Sequence, residues 1–120
     1  MGVAQMLAHV RKAMETSFPS DKPAKFSLIG FLLGPLIKRM VLNDKPYKQN
    51  LPTGKQVIVK DNRDFDQEMS KLLHTIDRFR SNGPAAAAAQ AHPMFGKMSE
   101  AEWGFSQWKH LDHHLKQFGA

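Results

Sequence analysis

The sequence has no cysteine, a single tyrosine and no long apolar run. Without cysteine the chain can hold no disulfide framework, thiolate nucleophile, cysteine-ligated zinc finger or iron–sulfur cluster, so any metal must be held by histidine and oxygen ligands. The most apolar stretch, Phe26 to Ile37, runs only 12 residues and contains Ser27, Gly30 and Gly34-Pro35. A membrane span needs about 20 apolar residues, so this stretch reads as a core or interface helix. No apolar signal-peptide run opens the chain, since His9, Arg11 and Lys12 arrive early, and Met6 stands where a myristoylation signal needs Ser or Thr. Secretion, lipid anchoring and a membrane partner are therefore not expected, and the expected location is cytoplasmic. There is also no glycine-rich phosphate loop, helix-turn-helix, internal repeat or convincing strand pattern.

What is present is 120 residues, 42% of them apolar, with 17 Lys and Arg against 11 Asp and Glu. This length suits one domain, residues 1–120, with a core that needs no covalent staple. Positive charge is concentrated between Lys38 and Lys60. Lys38, Arg39, Lys45, Lys48, Lys55 and Lys60 face only Asp44 there, giving five of the six net positive charges.

Helical periodicity runs from Val3 to Phe18, with Val3, Met6, Leu7, Val10 and Met14 on one side and Pro19 as the stop. Pro19 to Lys25 is rich in turn residues. Ser27 to Leu42 is apolar almost all round, and Gly34-Pro35 should kink or split it. Asn43 to Lys60, with Pro46, Pro52 and Gly54, reads as an ordered surface loop. A third helix is expected from about Asp64 to Ser81, opened by Asp64 and Gln67 in capping-box spacing and stopped by Asn82-Gly83-Pro84. Ala85 to Ala89 reads as a linker between two proline punctuations, with room for a turn of helix, and not as a packed element. A fourth helix opens at Ser99, with Glu102 completing a capping box, and runs to Phe118 before Gly119. The implied fold is all-α, an antiparallel helical bundle with a long connection between the second and third helices. Met6, Met14, Met40 and Met69 are read as core fill.

The fourth helix carries the chemistry. At about 100° per residue from Trp103, the side chains of Gln107, His110, His114 and Gln117 fall within about 40° of it, a narrow polar stripe. Phe118, Leu111, Leu115 and Trp108 lie on one flank, while Lys109, Asp112 and Lys116 form the solvent side. His110 and His114 are about 6 Å apart along the axis, the spacing at which helical histidines share a zinc ion. The competing reading is two hydrogen-bonded imidazoles at a wet bundle edge. For a third ligand His9 is best placed, at the margin of the apolar face of the first helix. His74 lies opposite the Phe65 to Phe79 stripe, His92 precedes a proline most of a helix length away, and His113 points to solvent. Three histidines without a fourth protein ligand would leave a coordination position open, as in a catalytic site. No general base is evident, because Glu102 and Asp112 point off the stripe.

Trp108-Lys109-His110-Leu111-Asp112-His113-His114-Leu115-Lys116-Gln117-Phe118, read as His-x3-His-x2-Gln, resembles the C-terminal motif of the DinB-like superfamily. Gln5-Met6-Leu7-Ala8-His9 is similar to its other ligand motif. Asn50-Leu51-Pro52-Thr53 and His92-Pro93-Met94-Phe95-Gly96-Lys97 resemble a branch of unassigned function, so the likeness spans most of the chain. It implies a four-helix bundle, often dimeric, with a divalent metal such as zinc or nickel on three histidines, here His9, His110 and His114. It also implies kinship with metal-dependent thiol transferases and an isomerase that uses low-molecular-weight thiols, in which the metal activates a thiol or water. In the superfamily pattern a further helix precedes the one bearing His9. Here the Ser27 to Leu42 helix or a second subunit is expected to fill its place, or the chain is a shortened version whose site is open.

Two other functions remain in view. Anion or nucleic-acid binding would use the basic segment 38–60, but Tyr47 is its only aromatic residue. A solvated face, or one that attracts an acidic thiol or another small acidic substrate, is favoured over nucleic acid. The other is a non-catalytic homodimer with a vestigial site and Leu28 to Val41 as its interface.

Overall fold

In the computed structural model the described residues are 2–18, 28–47, 57–89, 92, 95 and 97–119, with the side chains of 28–31 and 84 excepted. They contain four α-helices and no β-strand: α1 (Val3–Glu15), α2 (Leu28–Val41), α3 (Phe65–Ala88) and α4 (Glu100–Gln117). The expectations for Pro19 to Lys25, for Asn50-Leu51-Pro52-Thr53 and for Pro93, Met94 and Gly96 lie outside the described residues. So does the middle of the loop proposed for Asn43 to Lys60. The radius of gyration is 14.0 Å, close to the roughly 13.6 Å of a compact chain of this length.

Local chemistry accounts for both ends of α1 and for the starts of α3 and α4. The Gly2 amide donates to Gln5 Oε1 at 2.8 Å, which satisfies an orphan N–H at the start of α1. Beyond its end, Thr16 Oγ1 and Ser17 Oγ donate back to the carbonyls of Ala13 and Met14. Asp64 accepts the Gln67 amide at 2.9 Å and caps α3, and Ser99 with Glu102 forms the full capping box of α4. The close of α2 depends on a distant residue. Lys109 of α4 donates from Nζ to the carbonyls of Val41 and Asn43, placing a cation where the helix dipole favours one. Lys109 was assigned to the solvent side, yet it is 7% exposed. Its aliphatic stem is buried while its ammonium is fully occupied by carbonyls and by the faces of Tyr47 and Phe105.

Two further expectations are corrected. Of the kink or split expected at Gly34-Pro35, the split does not occur: α2 is one helix through it, and Pro35 sits on its exposed side, where a displaced carbonyl can be hydrated. The alanine run is no linker. After Gly83, which takes a φ of 80° and a ψ of 162°, the chain re-enters helix to Ala88. Alanine has the highest helix propensity, and its small side chain lets Ala87 approach Trp103 closely.

Packing is organised around two apolar clusters. Met6, Leu7, Val10 and Leu72 form one, with Met69, Ile76, Leu111 and Leu115 against it, and so join α1, α3 and α4. Ala87, Phe95, Met98 and Trp103 form the other, with Ile37, Val41, Leu42 and Phe79 against it. Residues 57–64 then strap across α1 and α3. Val59 is buried, Gln5 Nε2 donates to the Asp61 carbonyl at 3.0 Å, and Arg63 reaches Glu68 at 3.2 Å. Glu68 is itself buried and also pairs with Arg11 at 3.4 Å. A buried carboxylate held by two guanidiniums fixes the strap to both helices. Met40, read as core fill, is 52% exposed, so that part of the methionine reading fails.

The Gly83 backbone conformation is open essentially to glycine alone, and a Cβ there would meet no atom within 4 Å. Gly83→Ala should therefore lower stability by about 1–3 kcal/mol through backbone strain and not through a clash. Urea denaturation should show this as a lower midpoint at unchanged slope.

Candidate metal centre

The buried face of α4 is its polar stripe. Trp103, Ser106 and Gln107 are buried and His110 half-buried, whereas Trp108 is 60% exposed and Phe118 39%. The helix is thus rotated relative to the expectation that the flank of Phe118, Leu111, Leu115 and Trp108, beside the polar stripe, is the core side. Leu111 and Leu115 stay against the first cluster, and His110 and His114 turn toward α1. On α1, five successive residues from Met6 to Val10 are buried, His9 among them.

The three imidazoles meet there. His9 Nε2 lies 3.0 Å from His110 Nε2, and His114 Nε2 lies 3.1 Å from the same atom. One ligand nitrogen from each residue falls within 4.8 Å of the others. The rings stand edge to face, at 70° to 86°, with centroids 4.7 to 4.9 Å apart. Two imidazole nitrogens on one tetrahedral zinc ion sit about 3.3 Å apart. A small closing or opening of the triad therefore brings it to that spacing.

Hydrogen bonds on the far side of the rings decide which nitrogens are free. His9 Nδ1 donates to the Val57 carbonyl at 2.7 Å, because a carbonyl can only accept. His114 Nδ1 lies 2.9 Å from Gln117 Oε1 and donates to it. With Nδ1 protonated on both, neutral rings present bare Nε2 lone pairs at the centre. Burial lowers the His110 pKa to about 3, helped by the neighbouring imidazoles of His114 and His9. Burial likewise takes His114 to about 4, against the opposing bond to Gln117. Neutral imidazole is the form that ligates a metal.

The other histidines divide. His74 is exposed, as expected. His113, expected in solvent, is half-buried: its ring lies 5.1 Å from those of Tyr47 and His114, and it accepts from Gln117 Nε2 at 3.3 Å. His92 is not remote from the stripe. Its ring stacks on Phe95 at 4.3 Å and tilts against Trp103 at 5.2 Å, and its charge would act on His110. Trp103 Nε1 is buried with no hydrogen-bond partner among the described residues. Glu102 is engaged away from the triad, with Lys38 at 3.0 Å and the Ser99 amide. Asp112 pairs with Lys116.

Three contributors escaped the sequence reading. The Val57 carbonyl is a backbone group and has no residue signature. Tyr47, whose hydroxyl pKa is raised to about 12 by burial, was noted only as a lone aromatic. The buried Lys109 was masked by its charge. In the basic segment, Lys38 is committed to Glu102 and the Lys97 carbonyl, while Arg39, Lys45 and Lys60 are exposed. Lys48 and Lys55 lie outside the described residues.

Comparison with known families then places the chain. A family model described as "Protein of unknown function (DUF1569)" matches residues 2–120. The chain belongs to the DUF1569 family. The match takes in His9 of α1 and His110 and His114 of α4, so the whole triad falls within the family's extent. No curated protein and no solved structure matches this DUF1569 chain. No helix among the described residues is long and apolar enough to cross a membrane.

Burial lowers the His92 pKa to about 4, so its ring should stay neutral well below the usual range of about 6.5. The unfolded chain takes up this proton first, so folding stability should fall as pH drops from about 6.5 toward 4 and be fully present above that window. Following the His92 ring signals by NMR should give a midpoint near 4; a midpoint near 6.5 would refute the buried placement.

Proposed function

We propose that this DUF1569 chain is a divalent-metal-binding protein akin to the DinB-like superfamily, with His9, His110 and His114 as the ligands and zinc or nickel as the ion. The observation that carries this reading is the convergence of the three Nε2 atoms, two of them from rings whose Nδ1 protons are already engaged. Metal-ligating histidines are held in this way, through the nitrogen that does not touch the ion. A DinB-like antiparallel bundle, with residues 42–64 as its long connection, would bring the two ends of the chain together as this site requires. A divalent ion bound there supplies Lewis-acid activation of a thiol or of water, the chemistry of a metal-dependent thiol transferase or hydrolase. The chain's own residues do the rest. Three neutral imidazoles hold the charge, the Val57 carbonyl orients His9, and Leu111 and Leu115 keep one side of the site apolar. Exposed Arg39, Lys45 and Lys60 give a field that attracts a small acidic thiol or substrate.

Metal analysis of the untagged protein, after addition of zinc or nickel, should give near-stoichiometric ion. A His110→Ala, His114→Ala double variant should retain none above background. An equal, low content in both proteins would refute the metal reading.

A second reading concerns assembly and rests on α2. Leu32, Leu33, Leu36 and Met40 are all exposed, Leu32 by 66%, an apolar face of the kind that pairs with another copy of itself. In this reading the protein is a homodimer through α2. Sedimentation velocity should then show a dimer that a Leu36→Lys, Met40→Lys variant converts to monomer; a monomeric parent would end the reading.

A further inference from the structure

The proposed ion contacts three side chains, but the reach of the site extends one residue further along α4. Gln117 lies one turn beyond His113 and His114, and its amide serves both. Oε1 is 2.9 Å from His114 Nδ1, and Nε2 is 3.3 Å from His113 Nε2. An amide can be turned over, and the two orientations have opposite consequences. In one, Oε1 accepts from His114 Nδ1–H and the lone pair of His114 is left on Nε2, facing His9 and His110. In the other, the NH2 group donates to His114 Nδ1, the proton moves to Nε2, and His114 cannot ligate.

The amide stands in the first orientation, with its NH2 group 3.3 Å from His113 Nε2 and its oxygen toward His114 Nδ1. A His113 ring that carries its proton on Nδ1 favours this orientation, because its bare Nε2 can only accept. His113 is in turn held edge-on by Tyr47, whose ring lies under the Lys109 ammonium at 4.8 Å. Lys109 is fixed by the end of α2. A chain of fixed groups thus runs from the α2 terminus to the His114 imidazole.

We propose that Gln117, oriented by His113, is the positioning residue that holds His114 as its Nδ1–H tautomer and so presents Nε2 to a divalent ion. The proposal deepens the three-histidine reading and rests on it. It assigns to α4 the counterpart of what the Val57 carbonyl does for His9. It also gives a reason for the third polar position of the His-x3-His-x2-Gln pattern that direct ligation does not supply.

Gln117 is exposed and in the last turn, so its substitution should leave the fold intact. Two measurements test the role. Long-range proton–nitrogen NMR of the metal-free parent at neutral pH should show His114 protonated at Nδ1. Q117A should shift it toward the Nε2–H form, and Q117E, which keeps an acceptor in place, should not. Zinc titration in competition with a chromogenic chelator should show Q117A weakened about 10- to 100-fold, the usual effect of losing such a partner. Q117E should bind within a few-fold of the parent.

An unchanged tautomer and an unchanged zinc affinity in Q117A would overturn the positioning role. So would a weakening that Q117E shares, since that would reflect lost packing. A parent that binds no zinc while its His114 tautomer still depends on Gln117 would overturn the metal reading and leave the positioning role supported.

Discussion

Three imidazoles, one buried and two half-buried, that aim the same nitrogen at one point impose a proton-counting constraint on this fold. His9 and His114 each spend their proton on the far side of the ring, on the Val57 carbonyl and on Gln117. The centre then holds two lone pairs and His110 Nε2, which carries at most one proton to share between them. A neutral triad cannot satisfy all its acceptors, and protonating the rings sets like charges within 3.1 Å of one another. Burial makes the charged forms costlier still, which is why the His110 and His114 pKa values are low. A compact cation resolves the conflict without adding a proton, because each nitrogen then has a partner.

Much of the surrounding structure serves to hold that arrangement. Val57 can meet His9 only because residues 57–64 are anchored by Val59, by Gln5 and by the Arg11–Glu68–Arg63 cluster. That cluster places a carboxylate in the interior, which would be unfavourable unpaired. With two guanidiniums its net effect on stability is small and its geometric effect large. Gln117 is set by His113 and, through Tyr47 and Lys109, by the end of α2. The acceptors behind the rings are thus parts of the tertiary structure, independent of any ion.

The sequence made some of this legible. His110 and His114 stand at helical spacing, and helix periodicity is a strong physical signal. His9 was legible as a polar residue at the edge of an apolar face. The Asp64 cap of α3 and the Ser99–Glu102 capping box of α4 follow from residue chemistry that acts over three positions. The failures share a cause. Hydropathy assigned Trp108 and Phe118 to the core side of α4 and Lys109 to solvent, whereas Lys109 is buried and Trp108 exposed. The rotation of α4 is set by what its polar atoms can reach: the carbonyls of Val41 and Asn43 for Lys109, and the His9 imidazole for His110. None of these partners lies within ten residues, so no local window contains the information. The alanine run misled in the opposite sense, since low complexity hid a segment whose small side chains are what Trp103 packs against.

The position of the triad in the chain has an energetic meaning of its own. His9 and His110 are 101 residues apart, and His110 is joined to His114 by a single helical turn. An ion on all three would close residues 9–114 into one loop. Ligands that bind only the folded state stabilise it in proportion to their occupancy, and here the linkage joins the helix that opens the chain to the helix that closes it. The first apolar cluster joins the same two helices through Met6, Leu7 and Val10 on one side and Leu111 and Leu115 on the other. Apolar packing and imidazole convergence therefore act on one interface. Packing brings α1 and α4 together, and the hydrogen bonds behind the His9 and His114 rings leave at least two bare nitrogens, and not three N–H groups, meeting there.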